Sequence, residues 1–311
     1  PTVIPATSAP ATASPLATAS APSASPSATP EVTTTTVPAE TPFVSMAPYE
    51  SGAPSAPALS QKTGVYDEAF KLYMAAQPGT EIYYTTDGSI PTVNSAKYTG
   101  SIQISCRNGE KNVLCSEENI KKMDIAGSGY DYVPEDSEVD KCTIIRAAAI
   151  APDGTSSSVI TNSYFVGNDM ANKYKGATVA SLVMDPNDLL DYNTGILALG
   201  AYYDEWRKTA EAKQIIQSKA YWNYEGNYTQ SGKGWERQAT MDYINPSTGN
   251  VEFSAPMGVR LHGGASRMYG QKSFKFYMRE EYGQKNLKYA LIPGDVDKDG
   301  KQIKKYKGFM L

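Results

Sequence analysis

Two hydrophobic patterns follow one another along the chain. From about Ala58 to Val166, short aromatic and β-branched runs alternate with turn formers. Glu81-Ile82-Tyr83-Tyr84-Thr85-Thr86 suits a pleated, half-buried strand, and Asp87-Gly88 then supplies a turn. Thr143 to Ile150 reads as a second strand, Asp153-Gly154 turns it, and Ser158 to Val166 reads as the last. Short strands punctuated in this way predict a small all-β, immunoglobulin-like antiparallel sandwich over residues 58–167. The polar stretch Arg107 to Lys141 interrupts it and is expected to be a surface excursion.

After Gly167 the pattern becomes mixed, which predicts an α+β module over residues 168–311. Ala177 to Met184 is an apolar, strand-like run, and Asp185-Pro186-Asn187-Asp188 is a turn or helix start. Good helix formers fill Asp204 to Ala220. Gln238–Ile244, Gly258–His262 and Lys272–Met278 read as strands. In the last, Phe274 and Phe276 share the face of Lys272, while Ser273, Lys275 and Tyr277 lie on the other.

Neither pattern extends into residues 1–57, which are nearly all Pro, Ala, Ser and Thr, with no Lys or Arg. Such a segment buries too little apolar surface to offset the entropy of ordering it. The expectation is a disordered or polyproline-like spacer in a multidomain chain.

The net charge of −4 and pI near 5.3 leave no basic stripe, which argues against nucleic-acid binding. No apolar run is long enough to span a membrane. The spacer supports an extracellular or cell-surface location. Of the three cysteines, Cys106 and Cys142 bracket the polar excursion and are the favoured disulfide pair, with three reduced thiols as the alternative. With His262 the sole histidine, the mixed Cys/His chemistry of a zinc site is improbable.

Ile82-Tyr83-Tyr84-Thr85-Thr86-Asp87-Gly88-Ser89-Ile90-Pro91-Thr92, followed by Lys97-Tyr98-Thr99-Gly100, closely resembles the chitobiase/β-hexosaminidase C-terminal repeat. The resemblance implies an accessory sandwich of the kind placed beside carbohydrate-active or surface domains. Tyr83, Tyr84 and Tyr98 are then either sugar-stacking platforms or core filling. Asp87 reads as a turn former, since no second carboxylate stands where glycoside hydrolysis would need it.

Between the strands at 258–262 and 272–278 lies a glycine-rich loop, Gly263-Gly264-Ala265-Ser266-Arg267, with Arg260, Lys272 and Lys275 close in sequence. Glycines let backbone N–H groups approach an anion, and fixed cations suit polyphosphate oxygens. A structural hairpin loop with solvated basic residues is the other reading. Ser181 to Leu189, Asp191 to Ile196, Trp235-Glu236-Arg237, Gly258 to Arg267 and Gln271 to Lys275 together resemble the N-terminal part of the CotH kinase family. Gly270 replaces that family's usual proline.

The resemblance implies an atypical Ser/Thr kinase using ATP and magnesium on a surface or coat protein. Arg260, Gly263, Gly264, Ser266, Arg267 and above all Lys272 would hold the nucleotide phosphates, with Lys275 solvated. The family's magnesium and nucleophile carboxylates fall beyond Leu311, so a truncated, inactive kinase-like fragment is expected. The alternative is a non-enzymatic surface protein that binds cell-wall glycan. Asp295 to Gly300 imitates a calcium loop, but Tyr306 stands where its closing carboxylate belongs, and a hairpin turn is expected. Asn227-Tyr228-Thr229 is a glycosylation sequon.

Overall fold

The structure is a computed structural model that describes residues 46–124, 132–167, 169–245, 247–269 and 272–311. Most of the expected spacer, up to position 45, lies outside the described residues, as do Gly270 and Gln271.

The first half comprises β1 (Ala58–Leu59), β2 (Gly64–Tyr66), β3 (Phe70–Leu72), β4 (Met74–Ala75), β5 (Glu81–Thr85), β6 (Ala96–Lys97), β7 (Ile102–Ile104), α1 (Glu117–Met123), β8 (Thr143–Ile150) and β9 (Ile160–Val166). Among the described residues a sheet of order β2-β9-β8-β5-β6 packs with the β3–β7 pair as a β-sandwich. Phe70, Leu72, Ile82, Ile104, Ile145 and Tyr164 fill its core. Tyr84 and Tyr98 pack against that core, and the Tyr98 hydroxyl accepts from Met74 N–H at 3.0 Å. Tyr83 instead donates to Glu81. Asp87 accepts from Ser89, as a turn former should.

The strands β8 and β9 are buried on both faces. One face, with Ile145, Ala147, Tyr164 and Val166, belongs to the sandwich core. The other meets the second half of the chain. There Ser163 accepts from Ser181 Oγ at 2.9 Å, and Phe165 packs with Ile244.

The second half comprises α2 (Met170–Lys173), β10 (Val179–Met184), α3 (Pro186–Leu190), α4 (Gly200–Trp206), α5 (Ala210–Gln217), β11 (Arg237–Asn245), β12 (Asn250–His262), β13 (Ser273–Tyr277) and β14 (Gly308–Met310). Its strands form an antiparallel sheet in sequence order. The face with Met241, Ala255, Met257, Val259 and Phe276 is buried under α3 and the 279–307 loops, which supply Leu189, Leu287 and Tyr306. The helix expected over 204–220 is two helices instead. Thr209 adopts an extended backbone and caps α5 through its hydroxyl, 3.1 Å from Ala212 N, so the first helix must end before it.

The two halves interlock at the Asp87-Gly88 turn. A Cβ at Gly88 would fall 2.7 Å from the Met184 carbonyl oxygen, and the φ of +90° also requires glycine. Arg146, buried in β8, donates to Gly88 O at 2.7 Å within the field of Asp185 and Asp188. The excursion from 107 to 141 carries α1, capped by Ser116, and its Lys122 carbonyl accepts from Leu199 N–H at 2.8 Å.

The expected Cys106–Cys142 disulfide is absent, and all three cysteines are thiols. Cys142 packs beside Phe165 and Ile244, whereas Cys106 is exposed and its sulfur lies beside Gly167. Asp295 to Gly300 forms a tight turn in which Asp297 accepts from the N–H groups of Asp299 and Lys301. Asn227 of the sequon is 1% exposed, with its amide engaged by Tyr192 and Tyr202.

Candidate functional site

β12 runs straight into the glycine loop. Gly263 has a φ of +119°, and Ser266 Oγ occupies the space a Cβ would need. Gly264 faces open space, and residues Ala265–Met268 form a single 3₁₀ turn anchored by buried Met268. Gly263, Gly264, Ser266, Arg267 and Lys272 therefore do come together.

Their cations, however, face backbone carbonyls. Arg267 donates to Thr229 O at 2.6 Å, with Tyr228 and Gln230 carbonyls at 3.4 Å. Lys272 donates to Arg267 O at 2.9 Å and Tyr269 O at 2.7 Å, above the Tyr228 ring. Burial pulls its ammonium down to about 8. Both side chains fasten the loop to its surroundings.

Arg260 belongs to a different group. The β12–β13 register pairs Arg260 with Lys275 and Leu261 with Phe274. Directly opposed residues share a face, so Arg260 and His262 lie with Lys275 and Tyr277, away from the Phe274–Phe276 side. Arg260 thus lies on the face opposite Phe274 and Phe276, the side that alternation assigns to Lys272. Lys275, expected to be solvated, is 5.6 Å from the Tyr277 ring centre. The guanidiniums of Arg260 and Arg279 lie over the same ring at 4.1 and 5.0 Å.

A buried carboxylate organises these cations. Glu236 accepts a bidentate pair from Arg279 at 2.7 and 2.9 Å, and further bonds from Lys233 at 2.9 Å and Tyr282 at 3.0 Å. Arg260 Nε lies 3.5 Å from it, buried and without a hydrogen-bond partner. Burial would raise the Glu236 carboxyl. The bonds from Arg279, Lys233 and Tyr282 outweigh that and hold it at about 2. Lys233 also bonds Glu281. Three cations, Lys233, Arg260 and Arg279, thus face two carboxylates, Glu236 and Glu281, and with Lys275 beside the Tyr277 ring the group carries a formal surplus of two positive charges. Glycine at 258 is what lets this hub approach the sheet, because a Cβ there would lie 2.5 Å from Glu236 Oε1 and 2.6 Å from the Tyr282 ring.

The neighbours of Glu236 in sequence work outward from it. Trp235 meets Tyr202 edge-on at 5.4 Å, and Arg237 donates to Thr194 O at 2.6 Å. Residue patterning missed Glu236, Lys233, Arg279 and Tyr277 as members of a site. Period-two parity across β12 and β13 was the available signal for pairing Arg260 with Lys275.

A family model described as Fn3 associated matches residues 70–164, under a third of the chain and within the sandwich. Searches of curated proteins and of solved structures return no match. The first folded half is therefore a β-sandwich similar to Fn3-associated domains.

Proposed function

We propose that the second half of the chain binds the polyphosphate of a nucleotide, as the forward part of an exported atypical protein kinase of the CotH type. One observation carries this reading. The Arg260–Lys275–Arg279 group holds surplus positive charge on the sheet face opposite the hydrophobic core, on the strands that flank the glycine loop. Glu236 fixes two of its guanidiniums before any ligand arrives, so little ordering remains to be done on binding. Arginine forks match phosphate oxygens, and the Arg260 guanidinium lies over the Tyr277 ring on this face.

The residues fit the anion but not the metal. Among the described residues no group of three or more His, Cys, Asp or Glu side chains could hold a metal ion, and no step is assigned to magnesium. When bound, ATP would supply the phosphoryl group for a Ser or Thr hydroxyl of a surface or coat protein. This chain's own part is to bind and orient the phosphates.

Titration of the 311-residue chain with ATP, with and without magnesium, tests the reading. Arg260→Ala and Lys275→Ala should each weaken binding at least about tenfold, or ~1.4 kcal/mol. Lys272→Ala should act less, through the loop. Absence of ATP binding, or equal affinity in Arg260→Ala and wild type, would remove the basis for it.

A further inference from the structure

A cleft of about 1410 Å³ separates the excursion helix α1 from α3 and α4. Ile144 of β8 contributes to its floor, Val113 and Leu114 to one wall, and Leu190, Tyr192 and Tyr203 to the other. It takes no part in the nucleotide reading. Its volume exceeds the roughly 300–1,000 Å³ typical of single small-molecule sites, which favours an extended ligand.

Its charge is nearly balanced, with five cationic and four carboxylate side chains along the lining. Three of those cations are already paired: Arg107 with Glu110, Lys121 with Glu117 and Lys122 with Glu118. A polyanion would find little uncompensated charge.

The second-module wall carries a held aromatic platform. Tyr192 is 53% exposed, yet its hydroxyl donates to Asp204 at 2.8 Å and its carbonyl accepts from Asn227 Nδ2 at 3.0 Å. Buried Asn227 also accepts from Tyr202 N–H. Gly200, at a φ of +61°, leaves room for this arrangement, since a Cβ there would collide with Asn227 and the Tyr192 carbonyl. On the excursion wall, Val113 and Leu114 are exposed, and the buried Asn112 Oδ1 has no hydrogen-bond partner. Exposed ring and aliphatic faces thus share the lining with amides and carboxylates, Asn119 and Asp191 among them. Pyranose units present the same mixture, with C–H faces that stack on rings and hydroxyls that bond polar groups.

We infer that this cleft binds a neutral oligosaccharide chain, with Tyr192 as the stacking platform and Val113 and Leu114 on the opposing wall. The site stands independently of the nucleotide reading.

Calorimetric titration of the full chain with cellohexaose and with chitohexaose tests it. At least one should bind. Tyr192→Ala should weaken that binding about tenfold or more. Tyr192→Phe, which keeps the ring, should stay within about twofold of wild type. Leu114→Glu should also weaken binding, and Trp222→Ala, an exposed ring outside the cleft, should not. Binding of neither sugar, or unchanged affinity in both Tyr192→Ala and Leu114→Glu, would overturn the proposal. So would occupation of the cleft by a synthetic proline-rich peptide of residues 12–36 in preference to the sugars.

Discussion

Thr63 of the sandwich donates a hydrogen bond of 2.9 Å to Asp242 in the second sheet, a carboxylate only 1% exposed. Burial raises its pKa, outweighing the bonds it accepts from Ser254 and Thr63. A raised folded-state value means that the folded protein holds this proton more firmly than the unfolded chain. The group therefore stabilises the fold at pH below its unfolded value, and that contribution is lost as pH rises through the folded value. Asp242→Asn should melt no lower than wild type at pH 7 and abolish this part of the pH dependence. Asp242→Ala, which strands the Thr63 hydroxyl, should cost roughly 1–3 kcal/mol. Thermal melts from pH 4 to pH 7 check both.

Glu236 behaves in the opposite sense. Held at about 2, it contributes stability present above its unfolded value near 4.5 and lost as pH falls towards 2. Its side chain is fully buried, and the shift corresponds to about 3 kcal/mol. Glu236→Gln should lose stability of that order at pH 7, and acid titration of the variant should show a shallower loss than wild type. Equal denaturant midpoints would show that Arg279 and Lys233 find other partners.

Gly258→Ala should disturb the same hub from the opposite side. The added methyl meets Glu236 and Tyr282, and overpacking of this kind costs about 1–3 kcal/mol. Denaturant unfolding measures the cost. A weakened ATP affinity in this variant would tie the hub to the binding face.

The thiols should separate by reactivity. Burial pushes Cys142 up to about 11, so its thiolate is scarce at pH 8, while Cys106 is exposed. Alkylation followed by mass spectrometry should modify Cys106 well before Cys142. Similar rates at the two would mean that the Cys142 packing opens readily.

Much of the fold was legible because its strands obey local rules. Thr143 to Ile150 has the bounds expected of it, and the Gly258–His262 and Lys272–Met278 strands fall within a residue or two of theirs, apart from the N-terminal extension of β12 to Asn250. Alternation was uninformative in β8, where Ala147, Ala148 and Ala149 are all fully buried, because the second half of the chain covers the outer face. The long helix failed at Thr209, where a capping hydroxyl outweighs good helix formers on either side. The glycine loop was visible as composition. The destinations of its cations were not, because Arg267 and Lys272 are claimed by carbonyls, some of them nearly forty residues away in sequence. Glu236 stood out only within the Trp235-Glu236-Arg237 segment and not as a hub, since a hub is defined by which strands and loops converge on it, and that is set by pairing register.

The seating of Gly88 against the Met184 carbonyl reaches beyond turn geometry. In a free-standing sandwich this turn would be a tolerant surface point, open to insertion or grafting. Here it is a bearing, with the Arg146 guanidinium locked behind it and the acidic start of α3 in front. Cutting the chain between its halves would leave an internal arginine with Asp87 alone of its three neighbouring carboxylates, and a doubly covered sheet open to solvent on one side. The sandwich is better regarded as a fixed mount for the second sheet than as a bead on a string, and exchange between proteins would have to carry both halves as one piece.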